Sequence, residues 1–289
     1  YMAVGAQEDR SLPIEGNELP EVYSALDLLR DINLEKDIKM KDKKVAVIGG
    51  GNAAIDIARN LVRLNAEEVN IVYRRTEKDM PAHKEEIEEA KYEQVKMHFQ
   101  VNPVKVISEN NKIKGLECVE IKGGEFDNSG RRKPNAVDNS NFVLDVDVVV
   151  SAIGQNVNDD FNNGDLELEM DYGSLISVDA DHSTNIPWIF AGGDCVTGPS
   201  TVVESIQQGK EAARSIDEYL GGDGVIVSEK QRERKITSEI LQEEKERVKM
   251  PTILLSERKK GFVEVEKGYS RDQAVEEAER CLRCDVEDK

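Results

Sequence analysis

The chain has 289 residues, of which 39 are basic and 58 are acidic, so its formal net charge at pH 7 is −19. A surface of this sign repels nucleic acid and anionic membranes, and no apolar run approaches the roughly 20 residues of a membrane-spanning helix, so we expect neither as a partner. Hydrophobic residues make up 38% of the chain, and the four cysteines are typical of a reducing cytoplasm rather than of a disulfide scaffold.

The chain opens with "YMAVGAQ" at residues 1–7, which predicts a buried strand followed by a turn. A core strand rarely begins at a natural first residue, so we expect a fragment whose upstream partner strands are missing. Residues 21–32 have the apolar spacing of a helix. The charged stretch 31–43 lacks a clear period and predicts a linker.

Residues 44–152 predict one α/β unit. Its first strand, "KVAVIGG", is continuously apolar, as expected where both faces of a sheet are covered. The helix that follows places five apolar residues on one face: Ala54, Ile55, Ala58, Leu61 and Val62. The unit continues with a strand ending at Arg75, a charged helix at 83–95, a hairpin turn at 110–115, a polar loop at 123–141 and an apolar strand at 142–154.

The turn after the first of these strands carries a glycine motif. Gly49, Gly51 and Ala54 match the G-x-G-x-x-G/A spacing, between a strand and a helix. The first glycine permits a tight turn, the second lets a pyrophosphate approach the backbone, and Ala54 keeps the helix close to the sheet. The free N–H groups of the new helix favour phosphate. This pattern predicts dinucleotide binding, with a turn built for packing alone as the alternative.

The end of the next strand indicates which dinucleotide binds. An NAD site needs a carboxylate there for the ribose 2′-hydroxyl, but this strand ends in Tyr73, Arg74 and Arg75. A guanidinium stays charged and offers fork-shaped donors to a phosphate. We therefore expect the 2′-phosphate of NADPH at the two arginines, whereas the alternative is that they only solvate the strand end.

A second glycine pattern lies in residues 184–216, where "WIFAGGDC" predicts a strand that leads to Gly193 and Asp194. An aspartate at a strand end can hold a ribityl hydroxyl of a flavin, and a helix that starts near Thr201 could face the pyrimidine edge. A strand–loop–helix corner with an Asx turn explains the same residues equally well. The long helix at 200–220 is expected to stop at Gly221 and Gly222.

The last part of the chain, 223–289, is highly charged. The stretch 228–250 predicts a solvated arm, with a coiled-coil seam as the alternative. A final helix is expected to start at Ser270, because Gln273 completes a capping-box pattern.

The four cysteines fall into two groups. Cys281 and Cys284 form a C-x-x-C pair that can be redox-active, half of a metal site or incidental, and no further cysteine follows to complete a cluster. Cys118 and Cys195 are expected to be packing residues. The histidines are scattered along the chain and suggest no metal site.

These motifs together resemble the glutamate synthase small-subunit family, within the broader pyridine nucleotide–disulphide oxidoreductase-like flavoproteins. The resemblance covers most of residues 1–222. It is carried by "AVGAQEDRSLPIEG" (3–16), "VIGGGNAAIDIARNLVRLNAEEVNIVYRR" (47–75), "MPAHKEEIEEAKYEQV" (80–95), "SAIGQ" (151–155) and "IFAGGDCVTGPSTVVESIQQGKEAARSIDEYL" (189–220).

The resemblance implies an α/β fold in which a Rossmann-like NADPH domain is inserted into an FAD domain that is incomplete here. The resemblance implies four divisions of the chain. Residues 1–38 are a segment of the FAD domain with a linker, and residues 39–153 are the NADPH domain. Residues 154–222 are the later part of the FAD domain, and residues 223–289 are a charged extension. NADPH is expected at Gly49, Gly50, Gly51, Asn52, Ala53, Arg74 and Arg75. Further cofactor-binding candidates, mostly for FAD, are Gly154, Gly193, Asp194, Thr201 and Val202.

The implied function is a cytoplasmic oxidoreductase in which NADPH passes a hydride to FAD. Electrons would then leave to iron–sulfur centres of the parent chain, of a partner iron–sulfur protein or of a large subunit. Cys281 and Cys284 would be ligands of a truncated cluster site, and a homodimer is a further candidate assembly. No catalytic side chain is assigned, because the chemistry of the hydride step belongs to the cofactors.

The sequence departs from the family in two places. The family carries the FAD pyrophosphate on a glycine motif that would lie upstream of residue 1, so this chain alone is expected to retain little FAD. Gln94 stands where the family usually has glycine. Two alternative functions stay open, which are an NADP-binding module without activity of its own and a flavin-free dehydrogenase.

Overall fold

In the computed structural model, the described chain comprises residues 1–126, 132–164, 166–225 and 246–280. The strands are β1 (Glu8–Asp9), β2 (Val22–Ser24), β3 (Lys44–Ile48), β4 (Glu68–Tyr73), β5 (Lys96–Phe99), β6 (Val101–Glu109), β7 (Lys112–Phe126), β8 (Arg132–Ala136), β9 (Phe142–Leu144), β10 (Val148–Ser151), β11 (Gln155–Asn156), β12 (Met170–Asp171) and β13 (Leu175–Ile176). The helices are α1 (Ala25–Asn33), α2 (Asn52–Arg63), α3 (Lys84–Tyr92), α4 (Asp194–Thr197), α5 (Val202–Tyr219), α6 (Leu255–Arg258) and α7 (Arg271–Ala278). Contacts divide the chain into two units, Tyr1–Gly224 and Val225–Lys289.

A parallel sheet of five strands is the centre of the first unit, in the order β2-β10-β3-β4-β5. Strand β3 lies in the middle, where Val47 pairs with Val150 on one side and with Ile71 on the other. Because the strands are parallel, the segments that follow β3, β4 and β10 all emerge at the same edge of the sheet. The predicted α/β class is confirmed.

The two faces of this sheet pack against different layers. Val45 and Val47 belong to a buried cluster that includes residues of α1, α2 and α3. Ala46 and Ile48, which alternate with them, belong to a cluster that includes residues of β6 and β7. The continuous apolar pattern of β3 therefore reflects burial on both faces. Helix α2 buries Ala54, Ile55, Ile57, Ala58 and Leu61, so its predicted apolar face is largely confirmed.

The second layer is an antiparallel sheet of β6, β7 and β8, with β9 paired to β7. Its first hairpin turns at Asn110 and Asn111, both with positive φ, so the predicted turn is confirmed. The predicted polar loop at 123–141 is wrong, because β7 continues to Phe126 and β8 pairs with it. The side chains described in this hairpin are mostly exposed, so its strands do not need alternating apolar residues. The sequence therefore lacks the pattern by which a strand is usually predicted.

The predicted buried strand at 1–7 is also wrong. Met2 forms only an isolated bridge to Ala191, and Tyr1 is 53% exposed. The bridge consists of Met2 N–H donating to Phe190 O at 2.7 Å and Gly192 N–H donating to Met2 O at 3.1 Å. In the predicted strand at 188–191, Phe190 and Ala191 likewise form only isolated bridges. Each segment pairs at single residues, so no ladder forms although the residues are apolar.

The helix ends agree with the sequence predictions. Helix α5 is capped at its end by Leu220, and Gly221 follows in a left-handed conformation with φ of 90°. Helix α7 has Ser270 as its N-cap, with the predicted capping box to Gln273. The charged stretch predicted as an arm lies for the most part in 226–245, outside the described residues. No helix of the described ranges is both long and apolar enough to cross a membrane.

Gln94, the departure from the family pattern, has a φ of 70°. It follows α3, where its N–H donates to Lys91 O and that of Val95 donates to Ala90 O. This is the Schellman arrangement, whose left-handed residue is usually glycine. The position thus requires the conformation that the family's glycine adopts without strain.

A buried ion cluster joins α2 to the end of α3. The carboxylate of Glu93, fully buried, accepts hydrogen bonds from Arg63 at 2.9 and 3.0 Å and from Arg59 at 3.0 and 3.3 Å. Arg59 also pairs with Glu86. Burial alone would raise the pKa of the Glu93 carboxyl, but the bonds from both arginines outweigh it and hold the pKa below its ordinary value.

We predict that Glu93→Gln destabilises the protein by about 3 kcal/mol, because Arg63 and Arg59 lose a shared buried counter-ion and Arg59 keeps only its partly exposed acidic partners. Denaturant unfolding of both proteins measures this difference. Since the folded-state pKa is lowered, the stabilisation is present above the unfolded pKa of about 4.3 and is lost as the pH falls through the folded value. The stability difference between Glu93→Gln and the unchanged protein should therefore shrink in acid. A difference that is small at neutral pH would contradict this account.

Candidate nucleotide-binding site

The glycine turn after β3 contains two glycines that the surrounding chain requires. Gly49 has a φ of 147°, and a Cβ on it would stand 2.2 Å from Ala152 O. A Cβ on Gly50 would stand 2.6 Å from two ring carbons of Tyr73. Packing inside the molecule is therefore a sufficient reason for glycine at both positions.

Gly51 has no such reason. Its φ is −87°, and a Cβ on it would have Pro81 Cγ as its nearest described neighbour, at an ordinary 3.9 Å. Gly51 is the N-cap of α2, and no described side chain caps this helix. The protein's own packing thus tolerates a side chain at residue 51, while the position presents bare backbone at the start of a helix. A ligand that approaches the backbone closely is a physical reason for glycine here.

The start of α2 offers unused donors. Among the described residues, none accepts a hydrogen bond from the backbone N–H of Asn52 or Ala53, and the first turn contains no acidic residue. Unpaired N–H groups and the positive end of the helix dipole favour an anion at this place. The geometry therefore fits the pyrophosphate of a dinucleotide.

The loop after β4 is bonded to the glycine turn. Ala82 N–H donates to Gly50 O at 3.2 Å, and His83 N–H donates to Asn52 Oδ1 at 3.1 Å. Nearer to β4, the Tyr73 hydroxyl donates to Asp79 O at 2.8 Å. These bonds hold the glycine turn and the strand end that carries the arginines in one hydrogen-bonded assembly.

The two predicted arginines have different environments. Arg74 is exposed and forms no ion pair with any described residue. Arg75 is half-buried and engaged within the chain, and its carbonyl accepts from Gln100 N–H at 3.0 Å. Arg74 is therefore the residue of the pair whose guanidinium is available to a phosphate. The two residues that directly follow β4 are thus both arginines, where an NAD site needs a carboxylate.

An acidic depression of about 240 Å³ lies beside the first turns of α2, lined by Asn52, Asp56, His83 and Glu86. Burial and the neighbouring Glu86 raise the pKa of the Asp56 carboxyl. Glu86 is paired with Arg59, so the Asp56 carboxylate is the group that disfavours a phosphate on this side of the helix. The sequence reasoning missed Asp56, although its spacing of four from Asn52 places both on one helical face.

Gly154 lies where the chain leaves the central sheet, and not in the glycine turn. It has a φ of 120°, and its carbonyl accepts from Arg10 N–H at 2.9 Å. Here β1 and β11 pair antiparallel, and Arg10 Nε donates to Asn156 Oδ1 at 2.9 Å. The two segments that enter and leave the nucleotide-binding core are thereby joined. Gly154 is two residues beyond Ala152, whose carbonyl faces Gly49.

The second glycine pair forms a closed corner. A Cβ on Gly192 would stand 2.3 Å from the Tyr1 hydroxyl, and Gly193, with φ of 80°, donates its N–H to Gln208 Oε1 at 2.6 Å. Asp194 Oδ1 accepts from Ser200 N–H at 3.2 Å. One oxygen of the predicted flavin-binding aspartate is therefore used in the local turn, and its other oxygen has no partner among the described residues.

The start of α5 is capped by its own chain. Thr201 Oγ1 accepts from Glu204 N–H at 3.2 Å, and Glu204 Oε2 accepts from Thr201 N–H at 2.9 Å. The T-x-x-E spacing is the usual sign of this capping box, which the sequence reasoning did not use. Val202 and Val203, beside it, are 76% and 74% exposed. This start of α5 is exposed and apolar, and no described residue accepts a hydrogen bond from the N–H of Val202 or Val203, which fits the edge of a flavin ring.

The cysteines have separate roles. Cys118 is fully buried in β7, and burial and the neighbouring Glu117 raise the pKa of its thiol to about 12. Cys195 is fully buried, with Sγ 3.2 Å from Gly192 O. Both are packing residues, as predicted. Cys281 and Cys284 lie outside the described residues, within which no group of three His, Cys, Asp or Glu is placed to hold a metal.

The model of one protein family, pyridine nucleotide-disulphide oxidoreductase, matches residues 2–209. The chain belongs to this family. The match includes the glycine turn after β3, the arginines after β4 and the corner at Asp194. It ends within α5.

Individual relatives agree with the family assignment. The chain is 39% identical to the NADP(+)-dependent formate dehydrogenase subunit beta of Moorella thermoacetica, over 98% of this chain and 42% of the relative. It is 32% identical to the glutamate synthase [NADPH] small chain of Escherichia coli K12, over 76% of this chain and 50% of the relative, so the predicted resemblance is confirmed. The chain thus spans about half the length of the curated relatives that it matches.

A solved structure has the same fold. FprA of Mycobacterium tuberculosis in complex with NADPH aligns with a TM-score of 0.63 at 19% identity, over 76% of this chain and 63% of that protein. At this identity the similarity concerns the fold alone.

Proposed function

We propose that this chain is the NADPH-binding part of a flavin-dependent oxidoreductase subunit. The observation that carries the proposal is the pair of features at one sheet edge. Gly51 presents bare backbone that internal packing does not require, and Arg74 is an exposed cation without an ion pair among the described residues. The first suits a pyrophosphate, and the second suits the 2′-phosphate that distinguishes NADPH from NADH.

The residues that would hold each cofactor lie in different parts of the first unit. NADPH would be bound by the turn at 49–53 and by Arg74, with Arg75 supporting the strand end. FAD would meet Asp194 and the start of α5, beside Gly193, Thr201 and Val202. The corresponding domain division is 39–153 for NADPH, with 1–38 and 154–222 as parts of an FAD domain and 223–289 as an extension.

When bound, NADPH supplies a hydride and FAD accepts it. The chain's own residues bind and orient. The N–H groups of Asn52 and Ala53 fix the pyrophosphate, and Arg74 fixes the adenosine end. Gly154 lies in the junction where β1 pairs with β11, which links the nucleotide-binding core to the segments expected at the flavin. No side chain of this chain needs to donate or accept a proton in the hydride step.

The electron acceptor is proposed from the relatives. Similarity to the formate dehydrogenase beta subunit extends over nearly the whole chain, whereas similarity to the glutamate synthase small chain stops short of it. This extent favours a subunit of the formate dehydrogenase kind over one dedicated to glutamate synthesis, and the iron–sulfur acceptor is carried over from the family resemblance. Cys281 and Cys284 would belong to an iron–sulfur site of a longer chain. A cytoplasmic location is supported by the small number of cysteines, four in 289 residues.

We predict that Arg74→Ala weakens NADP⁺ binding by about 10- to 150-fold and leaves NAD⁺ binding nearly unchanged. A charge-assisted contact contributes about 1.5–3 kcal/mol, and only NADP⁺ carries the phosphate that makes it. Arg74→Glu should weaken NADP⁺ binding further, because a carboxylate repels the phosphate. Calorimetric titration of both nucleotides measures the effect, and the preference of the unchanged protein should fall as salt rises.

Arg30→Ala is the matched control, since Arg30 is an exposed arginine on α1 that pairs with Asp27. This variant should bind both nucleotides as the unchanged protein does. Equal affinities of the unchanged protein for NAD⁺ and NADP⁺, or an Arg74→Ala variant that loses both alike, would contradict the proposed nucleotide specificity.

We further predict that the full-length protein, purified anaerobically with FAD, loses its visible flavin absorbance when NADPH is added, and loses it far more slowly with NADH. A colourless protein that oxidises a small substrate with NADP⁺ would favour the flavin-free dehydrogenase. A colourless protein that binds NADP⁺ and reacts with nothing would favour a binding module.

A further inference from the structure

The loop after β4 carries a short, well-fastened turn. Residues Glu77–Asp79 form a 3₁₀ turn. Asp79 Oδ2 accepts from Thr76 N–H at 3.1 Å and from Thr76 Oγ1 at 2.5 Å. The carbonyl of Asp79 accepts from the hydroxyl of Tyr73, at the end of β4. The turn is therefore closed on itself and bonded back to the strand that precedes Arg74.

On this turn the two acidic side chains have partners of their own, and the one basic side chain has none among the described residues. Glu77 Oε1 lies 2.5 Å from Lys91 Nζ of α3, and the Asp79 carboxylate is held by Thr76. Lys78 stands between these two acidic residues. It is exposed and forms no ion pair with any residue of the described ranges. In a chain of net charge −19, both carboxylates that flank Lys78 are thus engaged elsewhere and leave its ammonium available.

We infer that Lys78 is a further specificity-determining residue, a second cation that contacts the 2′-phosphate beside Arg74. This inference rests on the proposed NADPH site. Lys78 follows Arg74 by four residues on the same loop, at the sheet edge where the glycine turn also lies. A lysine supplies a point charge on a flexible stem, which complements the rigid fork of an arginine. Two cations around one phosphate bind it more strongly than either does alone.

Tyr73 acts through Lys78 and is a positioning residue. Its ring packs beneath Gly50, and its hydroxyl bonds the carbonyl of the residue after Lys78. The ring packs against the glycine turn, which serves any dinucleotide, whereas the hydroxyl bonds the 3₁₀ turn that carries Lys78. Tyr73→Phe removes the hydroxyl and keeps the ring, so it separates the two contributions.

The test is titration of the full-length protein with NADP⁺ and with NAD⁺ at low and at moderate salt. Lys78→Ala should weaken NADP⁺ binding by about 3- to 10-fold and leave NAD⁺ binding unchanged. The salt dependence of NADP⁺ binding should also become shallower, because one ionic contact is lost. Lys114→Ala is the control. Lys114 is an exposed lysine of β7, and its removal makes the same change in net charge. The control should bind both nucleotides as the unchanged protein does.

Tyr73→Phe should also weaken NADP⁺ binding selectively, and should add little in the Lys78→Ala background, since both act on one contact. Thermal unfolding of each variant checks that the fold is kept. If Lys78→Ala alters neither affinity, or lowers both alike, the inference is overturned while the proposed function stands. If the unchanged protein itself shows no preference for NADP⁺, the proposed function fails as well, so the two failures are distinguishable.

Discussion

The anion site that we propose at the start of α2 depends on the absence of a side chain at residue 51. Helix starts are usually closed by a capping side chain, as Thr201 closes α5 and Ser270 closes α7. At α2 no described side chain does so, and the donors of Asn52 and Ala53 remain open. The neighbouring glycines fix this arrangement, because Gly49 must pass the carbonyl of Ala152 and Gly50 must pass the ring of Tyr73. Two glycines thus shape the turn, and the third leaves it accessible.

The charge distribution around this turn is the second constraint. The protein is strongly acidic overall, yet the turn region pairs or caps its own carboxylates and leaves Arg74 without an ion pair among the described residues. Asp56 lies one helical turn further along α2, and its carboxylate disfavours phosphate there. A local positive region bounded by negative charge restricts where an anionic ligand can lie. The net charge alone suggests that the protein repels any nucleotide. The local arrangement of charges around the turn therefore determines whether an anionic nucleotide can bind there.

Much of the nucleotide-binding core could be predicted from the sequence, because local signals specify it. The glycine spacing placed the turn, the apolar period placed α2, and the paired arginines marked the end of β4. The bonds from Ala82 and His83 to the glycine turn could not be predicted, since a backbone N–H carries no residue-type signal. The hairpin of β7 and β8 was missed for a related reason, because the side chains that the structure describes there beyond Ile121 are exposed or half-buried and impose no apolar alternation. The strand expected at 1–7 was wrong because apolar residues alone do not supply a hydrogen-bonded neighbour.

We propose above all that residue 51 is glycine because a bound dinucleotide needs close access to the backbone there. A pair of alanine substitutions tests this directly. Gly51→Ala should unfold within about 1 kcal/mol of the unchanged protein, because its Cβ meets only Pro81 at an ordinary distance, but it should lose most of its affinity for NADP⁺ and NAD⁺ alike. Gly50→Ala, the contrast, should lose stability by about 1–3 kcal/mol, because its Cβ meets the Tyr73 ring. The decisive measurement is titration of folded Gly51→Ala with both nucleotides. Affinities equal to those of the unchanged protein would contradict the claim that the open backbone at Gly51 is the dinucleotide site.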